Sequence, residues 1–214
     1  MTDRLRSVSR RTIATAVAGV FVLAFAAVAL AGSSFKNGGF ETGDFTGWKV
    51  ASSGDGDWFV LHSEPLPISG NGWRGPVEHD FAAVSDQDAP ASGVLYRFIK
   101  VGTKNIRVTL TVYYKNFAGG FCTPSSLDKN FAGCNQQFRV DILRSDASPW
   151  SMSKSDILKT PFKTKSDNTQ SVIDPQAVVA KLTGLGDKVM LRIAWVANED
   201  VLNATVDNVV VNAG

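Results

Sequence analysis

Ile106-Arg107-Val108-Thr109-Leu110-Thr111-Val112-Tyr113-Tyr114-Lys115-Asn116-Phe117 is the stretch on which the fold class rests. Ile106, Val108, Leu110, Val112 and Tyr114 fall on one side. Arg107, Thr109, Thr111, Tyr113 and Lys115 fall on the other. Successive side chains leave opposite faces of a pleated backbone, so this period of two in a β-branched and aromatic run predicts a half-buried strand.

The same alternation recurs on the C-terminal side. Phe138, Val140 and Ile142 point inward while Arg139 and Asp141 point outward; Val189, Leu191, Ile193 and Trp195 oppose Arg192 and Ala194. Toward the N-terminus, residues 49–63 carry a turn at Gly54-Asp55-Gly56-Asp57, followed by the apolar Trp58-Phe59-Val60-Leu61. Residues 65–76 are rich in glycine and proline and predict a loop holding Trp73 and Arg74. Phe81-Ala82-Ala83-Val84 predicts a short strand that runs into the turn formers of residues 85–90. Residues 174–182 predict a helical turn or two, with Asp174 as N-cap and Pro175 as first residue. Many short strands between Gly, Pro, Asn and Asp clusters predict an all-β, antiparallel sandwich.

The first 31 residues are not domain material. Arg4, Arg6, Arg10 and Arg11 precede an apolar run that closes on Ala29-Leu30-Ala31, the pattern of a secretory signal peptide with Gly32 as the mature N-terminus. An uncleaved membrane anchor is the alternative, since the run approaches spanning length. With Asp3 the leader carries +3 against a whole-chain formal charge of +2, which leaves −1 for residues 32–214. That balance, without a basic run, argues against nucleic acid as a partner. The two cysteines, Cys122 and Cys134, both lie in the exported part, where an oxidising compartment favours a disulfide. The expected location is extracellular or periplasmic.

Two further stretches carry a resemblance. Near the start stands Asn37-Gly38-Gly39-Phe40-Glu41-Thr42-Gly43-Asp44-Phe45-Thr46-Gly47-Trp48, a short entering strand and a glycine-punctuated turn; near the end stands Val206-Asp207-Asn208-Val209-Val210-Val211. Each places a carboxylate among apolar neighbours. This pair resembles the opening and closing motifs of galactose-binding-like jelly rolls, a group with many carbohydrate-binding modules. Ala82-Ala83-Val84-Ser85-Asp86-Gln87 with Leu95-Tyr96-Arg97-Phe98 resembles a passage of secreted bacterial jelly rolls. The resemblance implies a jelly-roll sandwich over residues 32–214 with first and last segments adjacent. It also implies a structural Ca2+ held by Glu41 and Asp207, with Asn37 and the Gly43–Asp44 turn as carbonyl donors. Two carboxylates meeting inside a sandwich repel unless a proton or cation intervenes, and calcium accepts such oxygens. The alternative leaves Glu41 in solvent and Asp207 bonded to a backbone amide.

Sugar rings stack on aromatic faces while their hydroxyls need polar partners. The outward positions Arg107, Tyr113, Arg139, Asp141 and Arg192 meet that description, as do Trp73 and Trp150 in loop-like sequence. Trp48 and Trp195 are expected in the core. No nucleophile elbow, zinc-protease helix, phosphate loop or dinucleotide fingerprint is present, and His62 and His79 fall in loops. Glu64, Glu78, Asp80 and Glu199 supply carboxylates, but no spacing singles out a glycosidase pair. The expectation is an exported, non-catalytic domain that binds a carbohydrate or glycan polymer. An adhesive surface domain without a sugar site, or a polysaccharide or ester hydrolase, are the alternatives.

Overall fold

The computed structural model describes residues 35–102, 105–167 and 171–213; the expected signal peptide at 1–31 lies outside them. Among these residues eight strands follow one another: β1 (Lys49–Leu61), β2 (Ala82–Lys100), β3 (Ile106–Asn116), β4 (Gln136–Arg144), β5 (Ile157–Lys163), β6 (Ser171–Leu182), β7 (Lys188–Ala197) and β8 (Leu202–Ala213). Each pairing between them is antiparallel, along the path β5-β4-β7-β2-β8-β3-β6, with β1 beside β2.

The length of β2 turns this path into a sandwich. Its second half, Ala91 to Lys100, pairs with β7, whereas Ala83 and Val84 pair with β8. β1 follows both halves and shifts register between Gly54 and Gly56. One layer is therefore β5-β4-β7 with the end of β2, the other β6-β3-β8 with its beginning. The expected turn at residues 54–57 is instead a bulge inside β1, and the turn formers at 85–90 lie within β2. Bulges bend a strand without ending it, and here they carry both strands from one layer to the other.

The core fills the space between the layers. Leu95, Phe138, Ile142, Leu191 and Trp195 are fully buried, and each such side chain contributes about 1.5–3 kcal/mol of apolar burial. The inward set of β3 is buried as its alternation predicts. Glycine makes room for the largest ring: a Cβ on Gly93 would lie 2.6 Å from Trp195 Nε1, and one on Gly56 2.8 Å from its ring.

Residues 174–182 belong to β6 and not to a helix. Between Val112 and Tyr114 of β3 the partner register jumps from Gln176 to Val172, so Pro175 sits in a bulge of an edge strand. A proline has no N–H to give a ladder, and an edge bulge asks for none. Tertiary pairing overrides the local cap-and-proline signal.

The opening motif was expected to begin with a short strand; it forms successive turns, with no strand among the described residues before Lys49. Asn37 and Phe40 adopt φ of 55° and 62°. Phe40 stacks on Trp48 at 5.4 Å, and Trp48 Nε1 donates to the Asn37 carbonyl at 2.9 Å. In β8, Asn208 has φ 51°, and the β3 pairing skips from Asp207 to Val210. This bulge frees the Val209 N–H, which donates to the Gly38 carbonyl at 2.9 Å. The first and last motifs thus meet, and a side chain at Gly38 would collide with the Val209 carbonyl.

Candidate functional site

Both outer faces of the sandwich are partly covered by connections, and a cleft remains on each. On the β5-β4-β7-β2 layer, Val94, Ala194 and Val196 are buried although they point away from the main core. Leu127 from the β3–β4 connection, and Trp150 and Met152 from the β4–β5 connection, pack on them. Beside this small apolar floor opens a cleft of about 570 Å3, lined by Trp150, Ser52, Ser53, Ser92, Ser126 and Asp128.

Buried amides shape one wall. Asn135 Nδ2 donates to the carbonyls of Ser126 and Asp128 at 3.3 and 2.9 Å, and Gln137 Nε2 to those of Pro124 and Ser126 at 3.1 and 2.9 Å. The Cys122–Cys134 disulfide closes the same segment, with Cα atoms 5.6 Å apart. The pairing expected from the cysteine count is present.

The other wall rests on charge. Arg139 holds Asp141 through Nε at 2.7 Å and Nη2 at 2.8 Å, while Arg192 Nη2 reaches Asp141 Oδ2 at 2.5 Å. Arg192 Nη1 donates to the carbonyls of Pro149 and Ser151 at 2.9 and 2.6 Å, which fixes the loop bearing Trp150. Arg139, Asp141 and Arg192 do leave the sheet outward, but this loop covers them: their exposures are 6, 0 and 0%. They were expected to meet sugar hydroxyls from an outward face; they form a buried ion network beneath the loop. Burial pushes the Asp141 carboxyl up; the hydrogen bonds and charges of the two arginines outweigh it and hold the group below its ordinary value.

The second cleft lies on the β6-β3-β8 layer, where the β1–β2 connection, residues 62–81, crosses the sheet. Asp86 anchors it by accepting from the Ile68 and Ser69 N–H groups at 2.6 and 3.0 Å, and Asp207 does so from Val77 and Glu78 at 2.9 and 3.1 Å. Tyr113 donates to the Gly75 carbonyl at 2.5 Å. It was expected to stand on an open face, yet it is 4% exposed beneath this strap, and burial raises its phenol well above the ordinary value. Trp73 and Tyr113 line the cleft, so the fold brings these two candidates together. Arg107 is exposed toward the other end of β3, and Trp150 lies on the opposite layer.

Glu41 and Asp207 approach each other as their motifs meet. A Cβ on Gly39 would lie 3.6 Å from Glu41 Oε1 and 3.7 Å from Asp207 Oδ1. Burial pushes the Asp207 carboxyl up, and the Glu41 charge adds to this against three backbone N–H donors. Glu41 accepts from the Asp80 and Phe81 amides at 3.1 and 3.3 Å. Carboxylate oxygens are the donors a hard cation accepts, but among the described residues no group of three or more His, Cys, Asp or Glu is placed to hold a metal ion. Asn37 and Asp44 close the turn: Asn37 Nδ2 donates to the Asp44 and Thr46 carbonyls, each at 3.1 Å, and Asp44 Oδ1 accepts from Thr42 and Thr46 at 2.6 and 2.8 Å.

The serines and Asp128 of the first cleft escaped the sequence reading, as did Arg74 and Asn203 of the second, because each cleft is assembled from segments that only the fold brings together. One signal was available: apolar residues at outward positions, such as Ala194, mark a sheet face that something covers.

No family model matches the chain, and no curated protein matches it in sequence. Solved structures do match it in fold. A carbohydrate-binding module of family 61, solved with β-1,4-galactotriose, superposes with a TM-score of 0.53 at 12% identity, over 85% of this chain and 99% of that one. The K3 cleaved adhesin domain of Lys-gingipain from Porphyromonas gingivalis W83 gives 0.49 at 13% identity, over 82% and 96%. A structure of carbohydrate-binding modules of the β-sandwich superfamily gives 0.47 at 12%, over 85% and 62%. The chain is an all-β jelly-roll sandwich of the kind found in carbohydrate-binding modules.

Proposed function

We propose that this domain binds carbohydrate without transforming it, through the cleft beside Trp150, and does so outside the cytoplasm. One observation carries the proposal: an aromatic ring over an apolar floor, rimmed by Ser52, Ser53, Ser92, Ser126 and Asp128. The ring offers a face to sugar C–H groups, and the rim offers partners to hydroxyls. The family 61 module was solved with a β-1,4-galactotriose, so β-1,4-galactan leads the polymers to be tried. The disulfide agrees with export. We further propose a structural calcium between Glu41 and Asp207, whose charge would offset two carboxylates brought to one backbone glycine.

The test is depletion of the protein from solution by a panel of insoluble polysaccharides, with reducing ends assayed alongside. Binding to at least one polymer without new reducing ends is expected, and Trp150→Ala should weaken it about three- to tenfold, the worth of one stacking aromatic. Accumulating reducing ends would make the protein a hydrolase. Failure to bind any polymer would favour an adhesive domain without a sugar site.

A further inference from the structure

The second cleft differs from the first in layer, lining and charge. Its volume is about 360 Å3, near the small end of the roughly 300–1,000 Å3 of ligand sites. The walls are the Trp73 and Tyr113 rings and Ile173, a large apolar side chain left 60% exposed. Trp73 is held in place, its Nε1 donating to the Glu64 carbonyl at 2.8 Å. Tyr113 is fixed through Gly75, as described above.

Polar side chains complete the lining. Asn203 is 3% exposed; its Nδ2 donates to the Ser85 carbonyl at 3.3 Å and to Asp86 Oδ1 at 3.1 Å, but its Oδ1 is buried and accepts nothing. An orphaned buried acceptor is costly, and a donor arriving with a ligand removes that cost. Lys115 lies at the rim, opposite Asn203 in the β3–β8 register; its Nζ rests 4.6 Å over the exposed Phe117 ring, and it forms no ion pair with a carboxylate among the described residues. Arg74 donates to the Ile173 carbonyl at 3.0 Å and stands 3.9 Å from Asp174, a lining carboxylate that is 99% exposed and whose charge water largely screens, so two cations face one anion at the rim.

An apolar wall calls for a C–H face, the cations at the rim call for an anion, and the orphaned acceptor calls for a hydroxyl. We propose that this cleft binds a single acidic sugar residue, a hexuronate, at a site separate from the Trp150 cleft. The sugar ring lies against Trp73 and Tyr113, its carboxylate toward Lys115 and Arg74, and one hydroxyl toward Asn203. Neutral polymer in one cleft and a uronate in the other would let one domain bridge two glycan chains.

Titration of the full chain with sodium glucuronate and sodium galacturonate, beside glucose and galactose, tests this by calorimetry or chemical-shift change at low salt. At least one uronate should bind more tightly than its neutral counterpart, with the difference shrinking as salt is added. Trp73→Ala should weaken it about three- to tenfold, and Lys115→Met by a similar factor. Both positions are partly or fully exposed, and an unchanged melting temperature confirms an intact fold. Trp150→Ala should leave uronate binding untouched, which keeps this outcome independent of polymer binding in the first cleft. No uronate binding at millimolar concentration, equal affinity for charged and neutral sugars, or loss through Trp150→Ala and not Trp73→Ala would each overturn the proposal.

Discussion

Asp141 shows how a single residue changes meaning between sequence and structure. As an outward carboxylate between two arginines it suited a sugar site; in the fold it is fully buried and bound by both. Removing one partner from a buried ion network strands the rest, so Asp141→Asn should destabilise the domain by about 3–5 kcal/mol, read as a lower urea midpoint. An unchanged midpoint would mean the network is not closed. The sign with pH follows from the depressed carboxyl value. Its contribution is in place above the unfolded-state value of roughly 3.9 and is lost as pH falls through the lower folded value. Stability of the Asn variant should therefore fall less steeply in acid.

Among the elements, the β3–β4 connection makes the clearest forecast. It supplies one wall of the Trp150 cleft, and its ends are joined by the Cys122–Cys134 bond across a separation of 12 residues. Loop closure of that size restricts the unfolded chain by about 3 kcal/mol. The double variant Cys122→Ser, Cys134→Ser should be less stable by that amount and bind polymer less well, because the wall is then held only by non-covalent contacts, among them those of Asn135, Gln137, Asn198 and Leu127. A melting temperature equal to that of the parent would show that those contacts suffice. The edge strand β6 teaches a related lesson. Asp174-Pro175 opens a helix only where no neighbouring strand competes, and β3 pairs with β6 on both sides of the bulge that holds them.

For the whole molecule, the meeting of the two end motifs sets the test of the proposed calcium. A ligand bound only by the native state stabilises by about 2.7 kcal/mol at a hundredfold excess over its Kd, and one kcal/mol moves the melting temperature of a domain this size by about 2–4 °C. Chelation should lower the melting temperature, calcium should restore it, and Asp207→Asn should blunt the response while the metal-free domain still folds. Indifference to both chelator and calcium, in protein verified metal-free at the start, would leave Glu41 and Asp207 as anchors for the amides of residues 77–81.

The sequence by itself determined the all-β class, the inward faces of β3, β4 and β7, the disulfide, and the meeting of the two end motifs. Those follow from alternation, composition and motif, all of which are local or shared with other jelly rolls. Tertiary structure alone decided where each strand crosses between layers, because the bulge at Gly54–Gly56 looks like a turn until β2 runs beside it. It also decided which outward residues reach solvent. Arg139, Asp141, Arg192 and Tyr113 alternate outward as predicted, yet the β4–β5 and β1–β2 connections fold over them. Period two reports which way a side chain points and carries no information about what later covers it.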